Sequence, residues 1–232
     1  MDAVVLASGG LDSTVTAALA KRDGCRLHFL TVQYGQRHIR EVAQARLIAV
    51  ALGVASHTVV NMDLRIIGGS ALTASLPVPK DRTEAEREQG VPSTYVPARN
   101  TIFLGLALSL AETVGAQCMY FGANVVDYSG YPDCRPDFIH AFEEVARLGT
   151  KVGREGKTWD IRAPLLSMTK AQIVRLGFEL GAPMHLTHSC YDPDAEGLAC
   201  GRCDSCQIRL EGFRAAGIQD PIAYVCRVGN EE

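Results

Sequence analysis

The chain has 232 residues, enough for one generous domain or two small ones and enough to bury most of the apolar surface of the unfolded form. Hydrophobic residues make up 47% and charged residues 21%, the usage of a globular protein, which excludes a disordered or fibrous chain. The net charge of -3 leaves no basic excess to neutralise a nucleic-acid backbone, so a small-molecule substrate is expected and a nucleic-acid partner is not.

In chain order, short apolar runs rich in β-branched residues alternate with longer amphipathic segments, a rhythm that implies βαβ units and a parallel sheet. Strands are predicted near 3–8, 27–33, 57–61, 118–122 and 159–163, with helices over 12–23, 38–52, 101–114, 137–148, 170–180 and 206–216. The helical segments stop at Gly24, Gly53, Gly115, Gly149, Gly181 and Gly217, where a left-handed cap needs a residue without a Cβ. Residues 64–94 break the rhythm with Pro77, Pro79 and the charged run from Lys80 to Glu88, and read as a partly mobile excursion over the active-site edge. From His185 the pattern gives way to a cysteine-rich region. The expected organisation is therefore an α/β domain over 1–185 and a cysteine-rich lobe with a final helix over 186–232, packed as one unit. No basic leader and no membrane-length apolar run is present, so a cytoplasmic chain without a membrane partner is expected.

The run Ala7, Ser8, Gly9, Gly10, Leu11, Asp12, Ser13 and Thr14 sits where the first strand ends and the first helix begins. Ligands of an open parallel sheet collect at the carboxyl ends of its strands, and a helix start offers unpaired N–H groups to an anion. Two glycines let backbone approach phosphate, while Ser8, Ser13 and Thr14 add hydroxyls. A glycine turn capped by serines is the plain alternative, but the position directly after a strand favours phosphate. The carboxylate of Asp12 would repel that phosphate unless it caps N–H groups or faces a bound Mg²⁺. Further candidates fall at the other strand ends: Gln33-Tyr34-Gly35, Gly122-Ala123-Asn124 and Ala163-Pro164-Leu165. Together they outline one cleft.

Cys190, Cys200, Cys203 and Cys206 form a C-x9-C-x2-C-x2-C array. Four thiolates close a tetrahedral site with no open position, so the expected occupant is one structural Zn²⁺, preferred over an iron–sulfur cluster. His185 and His188 stand nearby, but four cysteines suffice. Cys25, Cys118, Cys134 and Cys226 are scattered and read as ordinary packing.

Arg99 and Asn100 precede an apolar helix, where they could meet an anion or, for Asn100, simply cap the helix. Thr169 and Gln172 have the spacing of a capping box, which leaves Lys170 free to reach a phosphate. The segment 127–137 holds Asp127, Tyr128, Tyr131, Asp133 and Arg135. A carboxylate there could accept from a guanine-like edge, tyrosines could stack on the ring and an arginine fork could match a carboxylate, with Arg135 expected on the substrate's own; turn chemistry also explains the prolines and aspartates, but recognition is the favoured reading.

The Ser-Gly-Gly-Leu-Asp-Ser loop resembles the PP-loop of the N-type ATP pyrophosphatase superfamily, which includes GMP synthetase, asparagine synthetase and tRNA-modifying enzymes. Adding Val96-Pro97-Ala98-Arg99-Asn100, Asp127-Tyr128-Ser129-Gly130-Tyr131-Pro132-Asp133-Cys134-Arg135, Thr169-Lys170 and the final cysteines, the chain from Val4 to Gly212 is similar to the 7-cyano-7-deazaguanine synthase (QueC) family. Leu11 stands where that family often has Gln, and Ala98 where it often has Gly. The resemblance implies a doubly wound, mostly parallel, adenine nucleotide alpha hydrolase-like fold with a zinc-binding lobe, acting as a homodimer. It implies an ATP-dependent carbon–nitrogen ligase that converts 7-carboxy-7-deazaguanine and ammonia to the nitrile through an amide, in queuosine biosynthesis. Under it Asp12, Ser13, Lys170 and Arg99 are catalytic, and Tyr34 joins the phosphate loop in holding ATP. Asn100, Asp127, Tyr128, Tyr131, Asp133 and Arg135 bind substrate. Another PP-loop enzyme, a tRNA thiolase or amide synthetase, is the nearest alternative, and a zinc-dependent nucleic-acid-binding protein a more distant one.

Overall fold

A computed structural model describes residues 1–36, 40–87, 89–116, 118–126 and 131–225. Five strands form one sheet: β1 Asp2–Leu6, β2 Arg26–Gln33, β3 Ser56–Asn61, β4 Cys118–Tyr120 and β5 Asp160–Arg162. All pair in parallel in the order β3-β2-β1-β4-β5. The helices are α1 Leu11–Arg22, α2 Arg40–Leu52, α3 Glu84–Arg87, α4 Arg99–Val114, α5 Pro136–Gly149, α6 Lys151–Arg154, α7 Lys170–Glu179 and α8 Asp204–Ala216.

The inner strands are apolar along their length because helices cover both faces of a parallel sheet. Alternation divides them: Val4, Leu30, Met119 and Ile161 pack with α4 and α5, whereas Ala3, Val5, Leu27, Phe29 and Tyr120 face α1 and α2. A third cluster joins α1 to α7 and α8 through Leu11, Val15, Ile173, Val174 and Phe213. α5 shows the underlying rule, burying Ile139, Phe142 and Ala146 at helical spacing and leaving its other faces to solvent. The strand order reverses direction between β1 and β4, and the crevice beyond that switch point is where such sheets bind ligands.

Gly24, Gly53, Gly115, Gly181 and Gly217 adopt positive φ at helix ends, as their sequence positions predict. Gly149 does not. α5 runs through it to an extended Thr150, whose hydroxyl accepts from the Gly153 amide at 3.0 Å and so starts α6 at once.

The 64–94 segment departs further from expectation. It docks on the cysteine-rich lobe: Val78 enters the small apolar cluster around the four thiols, and Lys80 forms an antiparallel bridge with Cys203. Lys80 pairs with Asp192 at 2.7 Å, Asp81 with Arg202, Arg82 with Asp204 and Arg87 with Glu211 at 3.0 Å. The charged run is thus a complementary contact. Exposed pairs such as Asp81–Arg202 add little stability, whereas Asp204 is buried and its bidentate pairing with Arg82 is costly to break.

Ala98, the residue just before α4, has φ 54°, ψ 24°, the left-handed region that costs a residue bearing a Cβ about 1–2 kcal/mol. Ala98→Gly should remove that cost and return part of it as unfolded-state entropy, a net gain of about 0.5–1 kcal/mol. Urea denaturation of the two proteins measures this, and an unchanged or lower midpoint would show the conformation to be unstrained.

Candidate active site

The phosphate loop is shaped by its own hydroxyls. The Ser13 hydroxyl donates to the Gly10 carbonyl at 3.1 Å and accepts from the Ser8 amide at 3.2 Å, while the Thr14 hydroxyl donates to the Gly10 carbonyl at 2.8 Å. Ser8 in turn accepts from the Gly10 amide at 3.2 Å. Gly9 has φ 87°, and a Cβ there would strike the carbonyl oxygen of Glu41, so α2 leaves room only for glycine. Gly122, two residues beyond β4, lies against the Asp12–Ser13 peptide, which a Cβ there would approach to 3.0 Å. The loop is also held from the far end of the sequence: His188 donates its amide to the Gly9 carbonyl at 2.9 Å, and the Leu11 amide donates to the Ser189 hydroxyl at 3.3 Å.

Ala7, Ser8, Gly10, Leu11, Asp12 and Ser13 line one cleft together with Tyr34, Arg99, Asn100, Tyr131 and Lys170. Thr14 and Gly9 lie behind this surface and support it. The capping box of α7 forms as its spacing predicts, and Lys170 reaches Asp12 with its Nζ 2.7 and 2.8 Å from the two carboxylate oxygens. Arg99 donates to the Tyr34 hydroxyl at 3.2 Å. Burial works against the Arg99 charge, but the hydroxyls of Tyr34, Tyr131 and Tyr191 outweigh it and hold the guanidinium above its usual value. Burial raises the Tyr34 and Tyr131 phenols.

The other substrate candidates divide. Asp133 turns inward, accepting the Asn100 amide at 2.9 Å on its carboxylate and the Asn100 side chain at 3.1 Å on its carbonyl. It thereby caps α4, the task that the sequence suggested for Asn100. Arg135 is exposed and lines a separate shallow depression with Val125, Pro136 and Asp137. Asp127 and Tyr128 lie outside the described residues. Of the strand-end motifs, Gly122, Ala123 and Asn124 line the cleft, whereas Leu165 is core, its carbonyl held by Asn124 at 2.9 Å.

Sequence reasoning missed two contributors. The cysteine-rich lobe supplies a wall through Ser189, Tyr191, Ser205, Ile208 and Arg209, the last buried and paired with Asp220 at 2.7 Å. Glu41, in the first turn of α2, also lines the cleft. Burial raises its carboxyl to about 7 against the opposing pull of Arg99. An acidic residue in a helix's first turn reads as ordinary dipole compensation, so only the tertiary fold exposes it.

The sulfurs of Cys190, Cys200, Cys203 and Cys206 lie within 4.8 Å of one another and all four residues are buried. Ligands at about 2.3 Å around a tetrahedral zinc would stand about 3.8 Å apart, close to this arrangement. Backbone amides already face the sulfurs: those of Asp192 and Cys200 donate to Cys190 at 3.4 and 3.2 Å, and those of Arg202 and Cys203 to Cys200 at 3.4 and 3.3 Å. The cluster is placed to hold a metal ion.

A parallel sheet with a glycine-serine loop at its switch point and a four-thiol lobe defines an α/β protein of the PP-loop fold class. In agreement, a 4-thiouridine synthetase solved with RNA and bound ATP shares the fold at TM-score 0.50 and 19% identity, over 93% of this chain and 53% of that one. Residues 2–217 match the family model described as "Queuosine biosynthesis protein QueC", and the chain belongs to that family. The 7-cyano-7-deazaguanine synthase of Myxococcus xanthus is 59% identical over 222 residues, 96% of each chain. That of Anaeromyxobacter dehalogenans is 57% identical over 223 residues, 96% of this chain and 95% of its own. The chain is therefore an enzyme of queuosine biosynthesis.

The raised Glu41 carboxyl links to stability with a definite sign. The native state holds this proton up to about 7 and the unfolded chain only to about 4.5, so the stability it confers is complete below 4.5 and lost as pH rises to 7. Glu41→Gln carries no such loss. Its advantage over the unsubstituted protein should grow by about 2 kcal/mol between pH 5 and pH 8 in urea titrations. A constant difference across that range would show that the carboxyl does not titrate there.

Proposed function

We propose that the enzyme activates the carboxylate of 7-carboxy-7-deazaguanine with ATP, adds ammonia to give the amide, and activates the amide oxygen in turn to give the nitrile. The observation that carries this reading is the cleft in which the phosphate loop, the Asp12–Lys170 pair and the partly buried cation of Arg99 meet. A carboxylate resists ammonia until one oxygen becomes a leaving group, which ATP supplies. Going from acid to nitrile removes both oxygens, so two activations are needed.

The loop amides and the hydroxyls of Ser8 and Ser13 meet the ATP phosphates, while Tyr34 lines the nucleotide's path. Lys170 supplies positive charge to the phosphates as its hold on Asp12 is shared. Asp12 is the carboxylate at the loop suited to Mg²⁺, which when bound with ATP offsets phosphate charge. Catalysis on this reading rests on placement and charge in a site that needs no reorganisation. Arg99 takes the role first expected of Arg135 and receives the 7-carboxylate, because Arg99 lines the cleft and Arg135 does not. Asn100 and Tyr131 border the ring, with Asp127 and Tyr128 assigned to it from the sequence. The division into 1–185 and 186–232 belongs to this reading, as does a zinc ion that stiffens the wall-forming lobe. Its four free thiols suit a reducing cytoplasm.

Mass analysis of products from the acid, ATP and ammonia should show the amide and then the nitrile, and absence of both would refute the proposal. Arg99→Lys keeps the charge but loses the bidentate fork, so it should lose at least tenfold more rate on the acid than on the synthetic amide, with Arg135→Lys near normal on both. Equal losses in Arg99→Lys would remove it from carboxylate recognition. Elemental analysis should find one zinc per chain, and stoichiometric iron and sulfide after anaerobic purification would replace zinc by a cluster.

A further inference from the structure

Glu41 is a carboxylate that neither the phosphate site nor the fold requires. Its helix packs so closely on the loop that its carbonyl oxygen forbids a side chain at Gly9, and its own side chain lines the cleft. The charged and titratable groups around that cleft are already committed. Asp12 holds Lys170, Arg99 donates to Tyr34, and Arg209 pairs with Asp220. On the same helix, the Arg40 guanidinium is bound to the carbonyl of Glu196. The carboxylate of Glu41 forms no hydrogen bond or ion pair with a described residue, and Arg99 is the cation that acts on it across the cleft. A partly buried carboxyl in that state is costly, and such costs concentrate where chemistry needs them.

Resting on the function proposed above, we infer that Glu41 is the general base that receives ammonium in the cleft and takes its proton, releasing ammonia onto the activated carboxyl carbon. Ammonium predominates at neutral pH and has no lone pair, so a nucleophile must be freed inside the site. The Glu41 carboxylate accepts one N–H proton. The nitrogen lone pair then forms the C–N bond while the carbonyl π pair moves to oxygen. The adduct collapses as the C–O bond to the phosphate-bearing oxygen breaks, that oxygen keeps the electron pair, and the second proton leaves to water. Glu41 returns its proton to water before the next turnover. No redox partner is involved, and ATP is the only co-reactant. A carboxyl titrating near neutrality is matched to the task.

The test compares two nucleophiles. Hydroxylamine is neutral at pH 7 and attacks activated carboxyls without losing a proton first, so hydroxamate formation reports activation alone. With 7-carboxy-7-deazaguanine and ATP, Glu41→Gln should form hydroxamate within about threefold of the unsubstituted enzyme, yet lose on the order of 100-fold in ammonia-dependent amide formation at pH 7, the usual scale of a lost general base. The deficit should shrink steadily toward pH 9, where free ammonia accumulates, and Glu41→Asp should recover part of the rate at pH 7. Equal losses with both nucleophiles, or an unaltered ammonia rate, would overturn the role of Glu41. Failure of the unsubstituted enzyme to form any hydroxamate would instead overturn the underlying carboxylate-activation reading.

Discussion

The amide of His188 donating to the carbonyl of Gly9 is one hydrogen bond of 2.9 Å, yet the geometry of the cleft hangs on it and its neighbour from Leu11 to Ser189. A glycine-rich turn is entropically expensive to hold in one shape, and hydroxyl contacts within the loop fix only its inner edge. The two longer-range bonds fasten the outer edge to a segment nearly 180 residues away. A typical hydrogen bond contributes about 1 kcal/mol net, so these are modest in energy. Their importance is positional. They place the four-thiol lobe directly against the glycine-serine loop, and Cys190 follows Ser189 immediately.

That juxtaposition changes what a metal held by the four thiols would do. A closed thiolate cluster holds its lobe together, and this lobe forms a wall of the cleft through Tyr191, Ile208 and Arg209. The charged excursion clamps the same lobe from outside, with Arg82 gripping Asp204 at the start of α8. Gly212 on that helix presses on Lys170, where a Cβ would overlap the lysine chain. The cation at the phosphate end of the cleft is therefore set by α7, which carries it, and by α8, which it packs against.

Much of this was legible in the sequence, because local signals and tertiary demands coincide. All five strands and the longer helices follow from apolar periodicity and from glycines that really do adopt positive φ. The thiol cluster follows from spacing alone, since two-residue gaps turn backbone amides toward sulfur. The placement of loop side chains was less legible. Arg135 and Asp133 were chosen for chemistry that their side chains can perform, and the structure sets one outward before α5 and the other in the cap of α4. Chain direction decides such matters, and a single loop sequence does not encode it. Glu41, Arg209 and Ser189 were missed for the converse reason, for each looks ordinary until distant segments meet. The excursion read as partly mobile because its charges had no visible partners until the lobe supplied them.

The arrangement also orders the making of the protein. The glycine-serine loop is among the first residues synthesised, but its outer fastening, the wall bearing Arg209 and the helix behind Lys170 all come from beyond residue 185. A ribosome-bound chain that has completed the sheet has its nucleotide loop but lacks the partners that shape it. Such a nascent chain is poorly equipped to spend ATP, and the competence to do so arrives late, with the helix that closes the cleft.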